Sequence, residues 1–124
     1  MRQVTLAAIL ALAFAARSDA STLPRLPRSA EACLRSTLQT DTIGGIQKVT
    51  FRRVGQFEYL GFLCEYSQHW ANVQRGRFVL RKRHAETDWS KAILFAARVD
   101  IRELFRLSPR QFRLEVERPL PDET

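Results

Sequence analysis

Apolar residues between positions 29 and 40 recur at helical spacing. Ser29 is a residue type that caps helix N-termini, and Gly44-Gly45 would stop a helix. A helix of about 12 residues is marginal alone in water, so the pattern predicts one N-terminal amphipathic helix that packs on the rest of the chain. The apolar stripe, at positions i, i+3, i+4, i+7 and i+8, consists of Ala30, Cys33, Leu34, Thr37 and Leu38.

After residue 45 the pattern changes to the period of two that is typical of β-strands. Five runs rich in β-branched and aromatic residues are separated by glycine, proline or polar connectors, and the first two form a hairpin around Gly55-Gln56. The predicted strands cover residues 46–54, 57–68, 73–83, 91–101 and 111–119. In the second run we expect the core face to consist of Leu60, Phe62, Cys64 and Tyr66.

These elements predict an α+β domain in which one N-terminal amphipathic helix packs on a four- to five-stranded antiparallel sheet. The order of elements resembles the cystatin-like arrangement, in which a sheet wraps an N-terminal helix. The inhibitory cystatins carry a Gln-x-Val-x-Gly signature, and the nearest stretch here, residues 47–51, has Phe51 where that glycine belongs. The resemblance therefore concerns the order of elements and implies no protease inhibition.

The first twenty residues have the pattern of a secretory signal peptide. Arg2 precedes an apolar run over residues 4–16, and Ser18-Asp19-Ala20 supplies small residues for cleavage; cleavage after Ala15 is the alternative. The run is too short to span a bilayer. We therefore expect a secreted or periplasmic protein. Its predicted organisation is signal peptide 1–20, extended leader 21–28, single domain 29–119 and flexible tail 120–124.

The chain contains two cysteines, Cys33 and Cys64. An even number of cysteines in an exported chain predicts a disulfide between them, which would tie the helix to the second strand. Such a bond would contribute about 3 to 4 kcal/mol by the chain-entropy estimate. A redox pair is not indicated, because the two residues lack the CxxC spacing.

The charge balance points to an anionic partner. The chain has 20 Lys or Arg against 13 Asp or Glu, a formal net charge of +7, which favours association with an anionic polymer or membrane surface. In the third predicted strand, basic residues alternate on the face opposite Phe78 and Leu80. Neighbouring side chains on one face of a strand are about 6.8 Å apart, which is close to the spacing of successive phosphates along a nucleic acid strand. The alternative is an ordinary solvated sheet face. The candidate binding residues are Arg75, Arg77, Arg81 and Arg83, widened by Lys48 and Arg52 of the first strand.

Two tryptophans in connectors indicate a second kind of partner. Trp70 and Trp89 lie in polar loops, where large aromatics often form the centre of a protein–protein contact. They predict, as the alternative function, a subunit or inhibitor of a secreted or periplasmic protein. Loop tryptophans also commonly fold back to cap a small core.

The sequence offers little for catalysis. His69 and His84 are its two histidines, they lie in different connectors, and no nucleophile motif accompanies them. We expect no enzymatic activity, no metal and no cofactor. Sequence-specific nucleic-acid binding is not expected either, since no helix-turn-helix, zinc-finger or RNP motif is recognised. The sequence therefore predicts a small, exported, non-enzymatic binding or inhibitor-type module that uses a basic sheet face.

Overall fold

The computed structural model describes residues 20–40, 42–67 and 72–118. In chain order the elements are β1 (Ala20–Thr22), α1 (Arg28–Leu38), β2 (Thr42–Val54), β3 (Phe57–Ser67), β4 (Gln74–Arg83), β5 (Ile93–Ala96), α2 (Ile101–Leu104) and α3 (Pro109–Val116). The strands form one antiparallel sheet in the order β1-β2-β3-β4-β5. The predicted α+β class with an antiparallel sheet is confirmed. Residues 1–19 of the predicted signal peptide and the predicted tail lie outside the described residues.

The predicted hairpin of β2 and β3 is confirmed. Val54 pairs with Phe57, so Gly55 and Gln56 form a two-residue turn, and Gly55 has a φ of 62°. Such turns favour glycine because it adopts positive φ without a steric penalty. Next to the hairpin, β3 and β4 pair along their whole length, and this register determines which side chains share a face.

The edges of the sheet differ from the prediction. The strand predicted over 91–101 is shorter, since β5 ends at Ala96 and residues from Ile101 are helical. At the other edge, β1 begins at Ala20, the last residue of the predicted signal peptide, and Ala20 pairs with Arg52. Three residues are too few for alternation to reveal a strand, so the sequence pattern of the leader did not predict β1.

Helix α1 packs on one face of the sheet. Its buried residues lie in one cluster with Phe78 and Leu80 of β4 and with the predicted core face of β3. The helix begins at Arg28, and Ser29 is not its cap; the Ser29 hydroxyl instead accepts a hydrogen bond from the Trp89 backbone N–H at 3.0 Å. This contact ties the loop before β5 to α1. The buried residues of α1 are Ala30, Cys33 and Leu34.

The predicted strand 111–119 is wrong, because this segment contains most of α3. Pro109 lies in the first turn, the Ser108 hydroxyl caps the helix by accepting from the Gln111 backbone N–H at 3.3 Å, and the buried residues are Phe112 and Val116. These two residues are four apart, so they also fit a helical period. Over eight residues the two periods are hard to distinguish, and packing on the sheet decides.

Helices α2 and α3 cover part of the second sheet face, which was predicted to be solvated. Helix α2 and the residue after it approach the sheet closely at Gly61, where a Cβ would lie 2.3 Å from Phe105 Cε1 and 3.0 Å from Ile101 Cγ2. Glycine is therefore needed for Phe105 to contact the sheet. The second core contains Val54, Tyr59, Val79, Ile101, Leu104, Phe105, Phe112 and Val116.

Both cysteines are free and buried, so the predicted Cys33–Cys64 disulfide is wrong. The Cys33 thiol donates to the Ala92 carbonyl oxygen at 3.4 Å. Ala92 directly precedes β5, and the first residue of β5 pairs with Arg81 near the C-terminal end of β4. Cys64 pairs with Gly76, at the far end of β4. Five residues of extended β4 span about 16 Å. A disulfide requires Cα atoms within about 7 Å, so the two sites are too far apart.

We expect both thiols to be protected from modification in the native protein. Burial raises the pKa of Cys64 to about 11, so little thiolate is present near neutral pH. A thiol reagent should react slowly with the folded protein and should titrate both Cys33 and Cys64 after unfolding in guanidinium without reductant. If no thiol were titrated after unfolding without reductant, the structure would be contradicted and the predicted Cys33–Cys64 disulfide would be supported.

Candidate functional site

The four arginines of β4 do not form one open row. The Arg81 side chain is 19% exposed and pairs with Glu117 at the end of α3. Its guanidinium lies 4.6 Å from the centroid of the Phe57 ring and 5.3 Å from that of Phe95. Arg81 is therefore part of the contact between α3 and the sheet. The β4 arginines that remain exposed are Arg75, Arg77 and Arg83.

Two other predicted site residues, Arg52 and Trp89, are buried and not exposed as predicted. Arg52 is 4% exposed, with its guanidinium 4.8 Å from the centroid of the Phe112 ring, so it supports α3 and does not widen a surface patch. Trp89 is 7% exposed in the α1 core, with Lys82 Nζ 5.3 Å from its ring centroid. Trp89 thus caps the core, as loop tryptophans commonly do, and is not exposed for a partner. Trp70 lies outside the described residues.

The uncovered half of the second sheet face forms a groove of about 400 Å³, here called the Arg77 groove. Arg75 is 85% exposed and its Nε lies 3.3 Å from Glu65 Oε1, an ion pair that water screens. Arg77 lies opposite Leu63 and forms no ion pair with any described residue. Its charge is available to a ligand. The side chains lining the groove include Gln47, Leu63, Glu65, Arg75, Arg77 and Asp100.

A second cavity of about 460 Å³ lies beside β1 and is here called the basic pocket. It combines three cationic side chains with two hydroxyls, and no carboxylate is among its lining residues in the described part of the chain. In that same part, neither Arg102 nor Arg106 forms an ion pair. The pocket is lined by Ala20, Thr22, Lys48, Thr50, Arg102, Phe105 and Arg106.

A β-bulge in β2 directs Lys48 into the basic pocket. Gln47 pairs with Leu63 and Thr50 pairs with Gly61, so β2 has one residue more than β3 over this interval. The extra residue breaks the alternation: Gln47 lines the groove, whereas the next residue, Lys48, lines the pocket. Lys48 has a φ of 56°, a conformation that costs a non-glycine residue about 1 kcal/mol. Such strain is often found where a side chain has a function.

Arg102 and Arg106 enter the pocket from α2 and the turn after it. They are four residues apart, so they lie one above the other on a helical turn. Asp100 begins this turn by accepting from the Arg102 backbone N–H at 2.8 Å. Sequence reasoning missed both arginines, because α2 is too short to show a periodic pattern. The available signal was their spacing, with Ile101, Leu104 and Phe105 as the buried residues of the same turn.

Asp100 lies between the Arg77 groove and the basic pocket. It lines the groove, and its Oδ2 lies 3.9 Å from Lys48 Nζ across the boundary. The hydrogen bond from the Arg102 backbone N–H lowers the pKa of Asp100, and the positive charges of Lys48 and Arg102 lower it further. The carboxylate is therefore ionised at neutral pH. We call the groove and the pocket together the basic face.

A separate ion-pair cluster lies where β3 and β4 meet the β2–β3 turn. Glu58 Oε1 lies 3.0 Å from Lys82 Nζ and Glu58 Oε2 lies 2.5 Å from His84 Nδ1. Lys82 also donates to the Glu86 carbonyl oxygen at 2.8 Å. Burial alone would raise the pKa of Glu58, but the hydrogen bonds from His84 and Lys82 outweigh it and hold the pKa below 4.5. The groups satisfy one another, which indicates a structural role.

Other classes of site find no support in the described residues. Within residues 20–40, 42–67 and 72–118 there is no group of three or more His, Cys, Asp or Glu side chains that could hold a metal ion. No described helix has the length and apolar character needed to cross a membrane. No protein-family model, curated protein or solved structure matches this chain.

Proposed function

We propose that this protein is a small, exported, non-enzymatic binding module that contacts an anionic polymer through its basic face. The observation that carries the proposal is the position of two adjoining concave sites on one side of the sheet. Both contain exposed cations without ion-pair partners among the described residues: Arg77 in the groove, Arg102 and Arg106 in the pocket. An exported protein would meet such polymers in the periplasm or outside the cell.

A polymer suits the basic face better than one isolated anion does. The cations are divided between two cavities with the Asp100 carboxylate between them, so neighbouring anionic groups of one chain can occupy both cavities. Arginine guanidinium groups match the geometry of phosphate and sulfate, because their N–H groups form paired hydrogen bonds to two oxygens. The net positive charge, +7 for the whole chain and +6 without the predicted signal peptide 1–20, would speed the encounter.

Removing the three cations of the basic face should weaken polymer binding much more than removing three cations elsewhere. The test variant is Arg77→Gln/Arg102→Gln/Arg106→Gln. The control is Arg25→Gln/Arg28→Gln/Arg35→Gln, which removes the same charge from exposed positions on and before α1, on the other side of the sheet. Fluorescence anisotropy with labelled heparin or polyphosphate, measured over a range of salt concentrations, reports both affinity and the number of anionic contacts.

We expect the test variant to lose at least about tenfold in affinity at low salt. The slope of log affinity against log salt should fall by about 2, at roughly 0.7 per lost contact, whereas the control should keep most of the wild-type slope. Equal losses in the two variants would mean that net charge alone attracts the polymer. Absence of binding by the wild-type protein at low salt would also refute the proposal.

The alternative function, recognition of a secreted or periplasmic protein through Trp70 and Trp89, loses support because Trp89 is buried. Pull-down from native extract at low and at high salt separates the two functions. A complex that survives high salt would favour a protein partner, while loss of all bound material would favour the polymer.

A further inference from the structure

We propose that the basic pocket binds one phosphomonoester group, with Lys48, Arg102 and Arg106 as its cationic partners. This inference rests on the proposed function and makes it more specific, because it names the chemical group that the polymer presents to the pocket. The Arg77 groove would then hold the adjoining part of the ligand.

The charge of the pocket favours a dianion. A phosphomonoester carries about −1.5 to −2 charges near neutral pH, whereas a sulfate ester or a phosphodiester carries about −1. Three cations around one cavity gain more from the dianion, and no carboxylate is among the described lining residues, although Asp100 lies 3.9 Å from Lys48 Nζ outside the lining. The Thr22 hydroxyl, also in the lining, adds a neutral hydrogen-bond donor.

The walls of the pocket are held by the fold, so the backbone positions that carry the cations are fixed before a ligand arrives. Phe105, which lines the pocket, is 4% exposed and contacts the sheet at Gly61. Ile101 and Leu104 of the same turn are each 1% exposed. On the other side, the bulge at Lys48 is closed by the Thr50 hydroxyl, which donates to the Lys48 carbonyl oxygen at 2.9 Å. Because the backbone is already ordered, binding has to order only the three side chains.

Asp100 disfavours an anionic group at the boundary between the two cavities. Its ionised carboxylate is at the boundary of the groove and near Lys48, so an anionic group between the two cavities would be repelled. The Lys48–Asp100 pair is long, at 3.9 Å, and its side chains are 43% and 41% exposed, so Lys48 can turn to a stronger anion. The phosphate is therefore expected in the pocket and not at its rim.

Phenyl phosphate and phenyl sulfate test the proposal, since the two probes share an apolar group and differ in charge. Titration followed by calorimetry and by amide chemical shifts should show phenyl phosphate binding at least about fivefold tighter, with the largest shifts around Arg102 and Lys48. The Arg102→Gln/Arg106→Gln variant should bind phenyl phosphate at least about tenfold more weakly. The matched control, Arg25→Gln/Arg28→Gln, removes the same charge from exposed positions before and at the start of α1, on the other side of the sheet, and should bind phenyl phosphate as the wild-type protein does.

The variant Lys48→Asn separates binding from folding. Asparagine tolerates positive φ better than most residues, so the bulge should be retained and the melting temperature should be unchanged or raised. Phenyl phosphate binding should nevertheless fall at least about fivefold, because one of the three cations is gone. Unchanged binding by this variant would remove Lys48 from the site and overturn the proposal as stated.

The outcomes distinguish this inference from the proposed function. If phenyl phosphate binds no better than phenyl sulfate, or equally well to the Arg102→Gln/Arg106→Gln variant, the phosphomonoester site is wrong, even if the polymer still binds. If phenyl phosphate binds and no polymer does, the site stands and the polymer proposal fails. Vesicles containing phosphatidic acid, compared with a polysaccharide that carries phosphomonoester groups, identify the source. Preference for the vesicles supports the site but assigns its phosphate to a lipid headgroup, and preference for the polysaccharide assigns it to a polymer.

Discussion

Replacing Glu58 with glutamine is expected to lower the free energy of unfolding by about 3 kcal/mol. The Lys82 side chain is 6% exposed and would lose the carboxylate that compensates its buried charge. We place the loss at the lower end of the range for a broken buried ion pair because Lys82 keeps the Glu86 carbonyl oxygen and the Trp89 ring as partners. Urea unfolding followed by tryptophan fluorescence measures the change.

The double variant Glu58→Gln/Lys82→Met is the matched control. Removing both charges should recover most of the lost stability, because apolar replacement of a buried ion pair is often neutral or stabilising. If Lys82→Met alone is as stable as the wild-type protein and Glu58→Gln costs nothing, the cluster contributes no net stability. That result would contradict the structural role given to it.

The Glu58–Lys82 ion pair should also make the stability of the protein depend on pH. The pKa of Glu58 is lower in the folded protein than the usual 4.5, so the unfolded chain takes up this proton at a higher pH than the folded one. The contribution of Glu58 to stability is therefore fully present above the unfolded-state pKa and is lost as the pH falls through the folded-state pKa. Thermal unfolding should show the wild-type protein and Glu58→Gln approaching each other in stability as the pH is lowered below the usual pKa of a glutamate.

Long elements with a clear period were predictable from the sequence, and short ones were not. The alternation over 57–68 identified both the strand β3 and its core face, because each second residue had to be apolar to pack under α1. β1 and α2 contain three and four residues, fewer than one full repeat of a detectable pattern. In 111–119 two periods fitted, and contact with Tyr59 and Val79, which are distant in sequence, determined the helix.

The part of the candidate site that lies on a long strand was predictable from the sequence, and the part that lies on the short helix α2 was not. The alternation on β4 correctly placed Arg75, Arg77 and Arg81 on one face, and the pairing of Arg77 with Leu63 and Arg81 with Tyr59 bears this out. The pattern within one strand could not tell that α3 covers Arg81 and leaves Arg77 open. Arg102 and Arg106 reach the face only because α2 packs at Gly61, a tertiary contact that no local pattern encodes.

Replacing Gly61 with alanine is expected to cost about 2 to 3 kcal/mol, and valine more, because the added Cβ overlaps a packed ring. Phe105 has little room to move, since it is 4% exposed and its ring lies 5.0 Å from that of Phe112. Gly44→Ala is the matched control: Gly44 is also on a strand, and a Cβ there would meet nothing within 4 Å. That variant should be neutral or slightly more stable, since alanine restricts the unfolded chain.

The loss of stability in Gly61→Ala should depend on the size of the Phe105 side chain, and the substitution should also affect the basic pocket. In a double-mutant cycle, Phe105→Leu shortens the side chain that the new Cβ meets, so Gly61→Ala/Phe105→Leu should be less destabilised than the sum of the single variants. Gly61→Ala should also weaken phenyl phosphate binding under conditions where it is fully folded, because Phe105 and the two pocket arginines lie on the same turn. If Gly61→Ala is as stable as Gly44→Ala, α2 does not pack at this position. The pocket would then lack the wall that brings Arg102 and Arg106 to Lys48.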